Sequence, residues 1–445
     1  MLLQFSIKNF KTFKDKATLS LIASNYDKDT REEENIYPEV KFGLRLLKSA
    51  VVYGANASGK SNLLDALAFM KSFVLNSSKE SQKGESIKIQ PFRLSEETED
   101  EPSEFEVIFL FKNALFRYGF EVSLQKVVSE WLYYKPKTKE VELFYRDENN
   151  FDIHERNFAK GGTIAREGLV RDNALLLSVA AQFNEETAID VLDWFKRLKT
   201  LSGLNESGYQ GFTMSKTEDP THKSKVLELL KAADLGIQDI KIQQLDVDNL
   251  PYKMPKNVRD TIIKEVKLKG GKIEFFDVLT THKKYDSENT AIDNVSFSLD
   301  NEESAGTVKF FALSGPILDV IENGYILVVD ELDSKLHPNL VCKIVSLFNS
   351  KEFNKKNAQL IFNTHDTNLL SSGLFRRDQF WFTNKDRYGA AKLYSLADFK
   401  SDEVRKNEPY EENYIDGKYG AVPYLGFFDS LVNVLSQYEN EKQKS

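Results

Sequence analysis

Apolar and polar residues alternate from Leu2 to Phe10, the period of a strand with one buried face. Ser49-Ala50-Val51-Val52-Tyr53 is instead continuously apolar after its serine and stops at Gly54, as strands buried on both faces of a parallel sheet do. Phe105 to Phe111 and Phe116 to Leu124 alternate around aromatic residues and predict a β-hairpin turning at Lys112-Asn113-Ala114-Leu115. Trp131 to Tyr134 and Glu140 to Tyr145 extend that pattern into an antiparallel region. The period changes near residue 165. Asn184 is placed to cap a helix whose face is Ala188, Val191, Leu192, Phe195 and Leu198, and Val226, Leu227, Leu229 and Leu230 mark another. The polar, Gly- and Ser-containing stretch from Gly203 to Thr221 reads as a loop, as do the charged stretches Lys28 to Glu34 and Glu96 to Glu104. Beyond residue 303 helix and strand periods alternate. Thr307 to Leu318 and Leu340 to Phe348 are expected helices. Tyr325 to Val329 and Gln359 to Phe362 are expected buried strands, and Phe380 to Phe382 and Lys392 to Tyr394 short edge strands. The last dozen residues are polar and expected to fray.

Composition narrows the class. The chain has 445 residues, 41% hydrophobic and 29% charged, enough to bury a large core. Length alone suggests about three domains. Cys342 is the single cysteine, which excludes an internal disulfide framework and a thiolate zinc cluster and fits a cytoplasmic protein. Lys and Arg number 60 against 68 Asp and Glu, a net charge of −8, which argues against coating nucleic acid by bulk charge. No apolar run reaches membrane-spanning length, and the N-terminus lacks the pattern of a signal peptide.

Gly54-Ala55-Asn56-Ala57-Ser58-Gly59-Lys60-Ser61 follows a strand and matches G-x-x-x-x-G-K-[ST]. Gly54 and Gly59 allow backbone N–H groups to converge on phosphate oxygens, with Asn56, Ser58 and Asn62 completing the cradle. Lys60 brings a point charge to the β- and γ-phosphates, and Ser61 a hydroxyl ligand for Mg²⁺. Leu63, Leu64, Leu67, Met70 and Val74 then share one face of a helix whose positive end meets the anion.

Ile326-Leu327-Val328-Val329-Asp330-Glu331 places two carboxylates at the C-terminal edge of a strand. Asp330 suits a metal held through water, and Glu331 a general base for an attacking water. Taken singly, such a pair also suits a solvated strand end. Ser304-Ala305-Gly306-Thr307 opens a helix 26 residues before Asp330, and His365 follows a strand 34 residues after Glu331. Alone, Ser304 is equally a helix cap and His365 a structural histidine. His154, His222, His282 and His337 lack metal-ligand spacing, and His337 before Pro338 suits a turn. Trp194 and Phe195 read as helix core, and Lys355-Lys356 and Arg376-Arg377 as solvated faces, with a DNA or partner contact as the alternative.

In this order the motifs resemble the ATP-binding-cassette superfamily, in its SMC/RecF/OLD-like branch, to which Ile7-Lys8-Asn9-Phe10-Lys11-Thr12-Phe13 also corresponds. The resemblance implies an α/β fold: a P-loop ABC-type ATPase head with an antiparallel β lobe and a partly helical insertion. It implies ATP and Mg²⁺, and a homodimer or higher oligomer in which two heads sandwich ATP. Ser304 and Gly306 would then meet the γ-phosphate held by the other protomer's Lys60. Asp333 to Leu336 would be the D-loop, His365 the switch histidine, and Gln90 the Q-loop metal ligand. Ser-Ala-Gly-Thr stands where the family has Ser-Gly-Gly-Gln, which leaves the trans contact without its glutamine.

A narrower resemblance is to abortive-infection ATPases of the AbiL and PARIS AriA kind. It rests on Pro91-Phe92, Leu177-Ser178, Ala232 to Ile237, Glu303 to Thr307, Asp330 to Asp333 with Leu336-His337-Pro338, Thr364-His365-Asp366, and Gly417-Lys418-Tyr419-Gly420-Ala421-Val422-Pro423. It implies antiphage defence beside a separately encoded effector, of Toprim or RloB-like type, with a phage protein as possible trigger. A RecF/SMC-like DNA-repair or DNA-maintenance ATPase is the alternative, with DNA binding left open, and no membrane partner is expected. The expected division is 1–150 for the P-loop lobe and antiparallel region, 151–295 for the insertion, 296–400 for the second ATPase lobe, and 401–445 for a C-terminal segment.

Overall fold

The computed structural model of the chain describes residues 1–25, 29–80, 82–245, 275–400, 403–405 and 408–423. The fraying expected of the last dozen residues lies outside them. Strands are numbered β1 to β18 in chain order. The central sheet has the order β11 (Leu198–Ser202), β15 (Ile326–Asp330), β16 (Gln359–Asn363), β5 (Ser49–Tyr53), β17 (Phe380–Lys385), β18 (Ala391–Ser395), and every neighbouring pair is parallel except β17 with β18. β5 and β16 are buried at every position, which explains their uninterrupted apolar reading. Val329 lies opposite Phe362, and Asn363 opposite Val52, so β15, β16 and β5 end along one edge.

The second sheet is antiparallel, in the order β10 (Asn150–Ile153), β9 (Val141–Asp147), β8 (Val127–Lys135), β7 (Ala114–Val122), β6 (Ser103–Phe111), β1 (Leu2–Lys8), β2 (Ala17–Ser20). The hairpin forms, with a tighter turn than expected. Ala114 and Leu115 pair with Phe111 and Leu110, leaving Lys112 and Asn113, at φ 45° and 61°, as a two-residue turn. The Lys60–Asn76 helix joins the sheets, burying Leu63, Leu64, Ala66, Leu67, Met70 and Val74 in a core that includes residues of both. β3 (Ile36–Glu39) pairs with β4 (Leu44–Leu47), and β12 (Asp239–Leu245), β13 (Phe275–Tyr285) and β14 (Ala291–Ser298) make a three-stranded sheet.

Several local expectations change. The helix expected to include Leu198 stops at Lys196; Leu198 turns its backbone to β15 and begins β11. The expected loop 203–221 contains the helices Ser207–Thr217 and the start of Pro220–Ala232. The first of these helices packs against the Ala305–Asn323 helix. Pro316 interrupts the Ala305–Asn323 helix and has no N–H for the Ala312 carbonyl; the Thr213 hydroxyl donates to that carbonyl instead, at 2.6 Å. β17 is interior, between β5 and β18; of the two expected edge strands, β18 alone lies at an edge. Arg376 and Arg377 are buried, not solvated: Arg376 pairs with Asp378 at 3.0 Å, and Arg377 donates to the Leu396 and Phe399 carbonyls. The two acidic stretches each contain one helical turn, Glu32–Asn35 and Glu96–Glu99. Among the described residues no helix is long and apolar enough to cross a membrane.

The antiparallel lobe is tied to its covering helices by a buried charge. Glu130 accepts from Tyr118 Oη at 3.0 Å and from the Leu176 and Leu177 N–H groups at 2.6 and 3.0 Å, with Arg146 at 3.7 Å. Burial pushes its carboxyl upward, against the pull of Arg146 and these donors. Glu130→Ala strands the Arg146 guanidinium and should cost roughly 3–5 kcal/mol, read as a lower urea midpoint. A cost under about 1 kcal/mol would show that the pair does not anchor the lobe.

Candidate functional site

Two glycines shape the P-loop. At Gly54, φ 156°, a Cβ would lie 2.4 Å from Ser58 Oγ and 2.5 Å from the Thr383 carbonyl. At Gly59, φ 112°, it would lie 2.8 Å from Thr12 Oγ1. Ser58 Oγ and Thr383 Oγ1 share a hydrogen bond of 2.7 Å, and Thr383 also donates to the Tyr53 carbonyl, so β17 braces the loop. Lys60 Nζ donates to the carbonyls of Gly54, at 2.7 Å, and Ala55, at 3.1 Å. Burial lowers its pKa, and Glu331, Asp330 and Asp333 partly offset that shift. Asn62 donates to Thr12 Oγ1 at 3.0 Å.

Across the sheet edge, Glu331 stands just beyond β15 at φ 54°, a left-handed conformation that costs a non-glycine roughly 1–3 kcal/mol. Its neighbours hold it there. Its N–H donates to Asn363 Oδ1, while Asn363 Nδ2 donates to Asp330 Oδ1. Lys309 Nζ donates to the Glu331 carbonyl at 3.1 Å. Gly203 donates to the Asp330 carbonyl at 2.6 Å, and a Cβ on Gly203 would lie 2.1 Å from the Glu331 carbonyl oxygen.

Asn56 to Asn62, Glu331 and His365 line one cavity of about 400 Å³. Lys60, Ser61 and Glu331 thus line one space, although 271 residues separate Lys60 from Glu331 in the chain. The His365 N–H donates to Asp333 Oδ2 at 3.1 Å, linking the ends of β16 and β15. Ser304 and Gly306 are not in this cavity lining. Ser304 is exposed and caps its helix by accepting from Thr307 N at 3.1 Å; Gly306 packs on the Lys335 carbonyl. Gln90 lines a neighbouring cavity of about 790 Å³ with Lys11 and Arg93, and Asn62 is common to both. His337 accepts from Asn339 N and starts the Pro338–Asn349 helix.

The donor chemistry fits a phosphate-bound divalent cation. A hydroxyl, Ser61, stands on the loop, and a carboxylate, Asp330, stands at the facing strand end with one oxygen already held by Asn363. Mg²⁺ takes one or two protein ligands and completes its shell with phosphate and water. Among the described residues no cluster of three or more His, Cys, Asp or Glu could hold a metal alone.

Four supporting residues escaped the sequence reading. Asn363 and Lys309 carry a detectable signal, an amide ending an apolar strand and a lysine beside Phe310-Phe311. Gly203 and Thr383 carry none, because their partners are distant in the chain.

No curated protein matches the chain. Among solved structures, similarity is found to the SMC head domain from Thermotoga maritima, at 13% identity and TM-score 0.40, covering 88% of this chain and 98% of that one. An Smc head domain with an extended coiled coil, bound to the C-terminal domain of ScpA and derived from Pyrococcus furiosus, gives 13% identity and TM-score 0.35 over 88% and 96%. The protein cbiO1 from Clostridium perfringens, part of the ABC transporter complex cbiONQ, gives 12% identity and TM-score 0.25 over 82% and 87%. The family described as "AAA domain, putative AbiEii toxin, Type IV TA system" matches residues 49–371, from β5 and the P-loop to beyond His365. That match spans well over half of the chain, which therefore belongs to this AAA-domain family.

Proposed function

We propose that the chain is a dimeric ATP-hydrolysing head that senses infection and controls a separately encoded effector in antiphage defence. One observation carries the enzymatic part: Lys60, Ser61, Glu331 and His365 share a cavity, whereas the helix start at Ser304 stands outside it and exposed. In this reading Lys60 and the loop N–H groups bind the β- and γ-phosphates. Glu331 accepts a proton from the attacking water, and His365, steadied by Asp333, contacts the γ-phosphate. Mg²⁺, held by Ser61 and by Asp330 through water, would neutralise phosphate charge. Ser304 and Gly306 would complete the partner's site, so ATP binding favours dimerisation. The AbiL and PARIS AriA resemblance, with its Lys418-Tyr419-Gly420-Ala421-Val422-Pro423 segment, supports the defence role, and the effector would be a Toprim or RloB-like protein.

The test is co-expression with the neighbouring gene in phage-challenged cells. The neighbour's product should co-purify, and Lys60→Ala should abolish protection. A monomer with no partner and no phage phenotype would sink the defence reading. DNA-stimulated, salt-sensitive turnover would favour a RecF/SMC-like DNA-maintenance role instead.

A further inference from the structure

The helix beginning after Ser304 touches the turn following β15 at two levels. Gly306 lies against the Lys335 carbonyl, where a Cβ would approach its oxygen to 2.8 Å. One turn on, Lys309 Nζ donates to the carbonyls of Glu331, at 3.1 Å, and Ser334, at 2.6 Å. Lys309 is completely buried, in a helix that also buries Phe310, Phe311 and Leu313. An ammonium in such surroundings is costly unless its donors are used, and here they serve main-chain carbonyls. Burial lowers its pKa to about 8, with Asp333, Glu206 and Glu331 opposing that shift and Lys335 adding to it.

What those carbonyls belong to matters. Glu331 sits in a left-handed backbone conformation that the regular strand before it does not impose. Asp333, between the two carbonyls in sequence, holds the His365 N–H with one oxygen; its other oxygen is buried without a partner among the described residues. A methionine, unbranched and one atom shorter, would occupy most of the same space and donate to neither carbonyl.

We propose that Lys309 is a positioning residue for hydrolysis, fixing the Glu331 backbone to the helix that starts at Ser304. The aim of the Glu331 carboxylate then follows the seating of that helix, and so any contact its exposed start makes with a second head. The inference rests on the ATPase reading above.

Lys309→Met, Lys309→Gln and Lys309→Arg are compared in the full chain by steady-state phosphate release and by binding of a fluorescent ATP analogue. Lys309→Met should lower kcat at least about tenfold while KM and nucleotide affinity stay within about threefold, since misplacing a catalytic group affects the reaction step. Lys309→Arg, which keeps charge and donors, should recover much of that loss. If the methionine variant does not fold, Lys309→Gln carries the same comparison. A folded methionine or glutamine variant with unchanged kcat overturns the inference, as does a parallel loss of kcat and affinity. Turnover by the wild type beside such a result sinks this inference alone. An inactive wild type sinks the ATPase reading, and this inference with it.

Discussion

Glu331→Gln should slow ATP hydrolysis by about 10³-fold while leaving ATP affinity nearly unchanged, because it removes the proposed general base and keeps its shape. The backbone around the residue makes this a clean substitution. Its N–H is held by Asn363 and its carbonyl by Lys309, so the amide would stand where the carboxylate stood. The P-loop lies on another strand and keeps its own braces, Ser58 to Thr383 and Lys60 to the Gly54 carbonyl. Phosphate release and equilibrium binding of a fluorescent ATP analogue separate the two effects. Unchanged turnover would remove Glu331 from the mechanism, and an equal loss of affinity would assign it to binding.

The main strands and the strand–loop–helix element around Lys60 were legible in the sequence because their signals are local. β5 and β16 are continuously apolar since both faces are buried, and β6 alternates strictly since each second residue is half-exposed. Short-range logic also yields the P-loop, whose glycines and lysine occupy one turn. What sequence periodicity missed depends on contacts between distant segments. Ser207–Thr217 is a helix packed on Ala305–Asn323, where Thr213 donates to the carbonyl that Pro316, 103 residues away, leaves without its N–H. Arg376-Arg377 resembles a surface pair until Asp378 and the carbonyls of Leu396 and Phe399 close around it. The same limit applies to the site. Glu331 was readable from the strand it follows; the Asn363, Lys309 and Gly203 contacts that shape its backbone were not.

Mixing Lys60→Ala protein with Ser304→Arg protein should restore activity that neither has alone. Lys60→Ala removes the charge proposed to bind phosphate from one cavity, and Ser304→Arg places a bulky cation at an exposed helix start that lines no part of its own cavity. Loss of the Ser304 cap costs about 1 kcal/mol, too little to unfold a chain of this size. If each active site takes Lys60 from one protomer and Ser304 from the other, a mixed dimer contains one site with both defects and one with neither. Random exchange makes half the dimers mixed, so recovery should reach about a quarter of the wild-type rate when the sites act independently. A same-chain site cannot recover, because every Lys60 and every Ser304 stays with its own defect. Recovery would therefore identify the exposed helix start as the missing wall of the partner's cavity, and its absence under conditions of proven subunit exchange would confine the site to one chain.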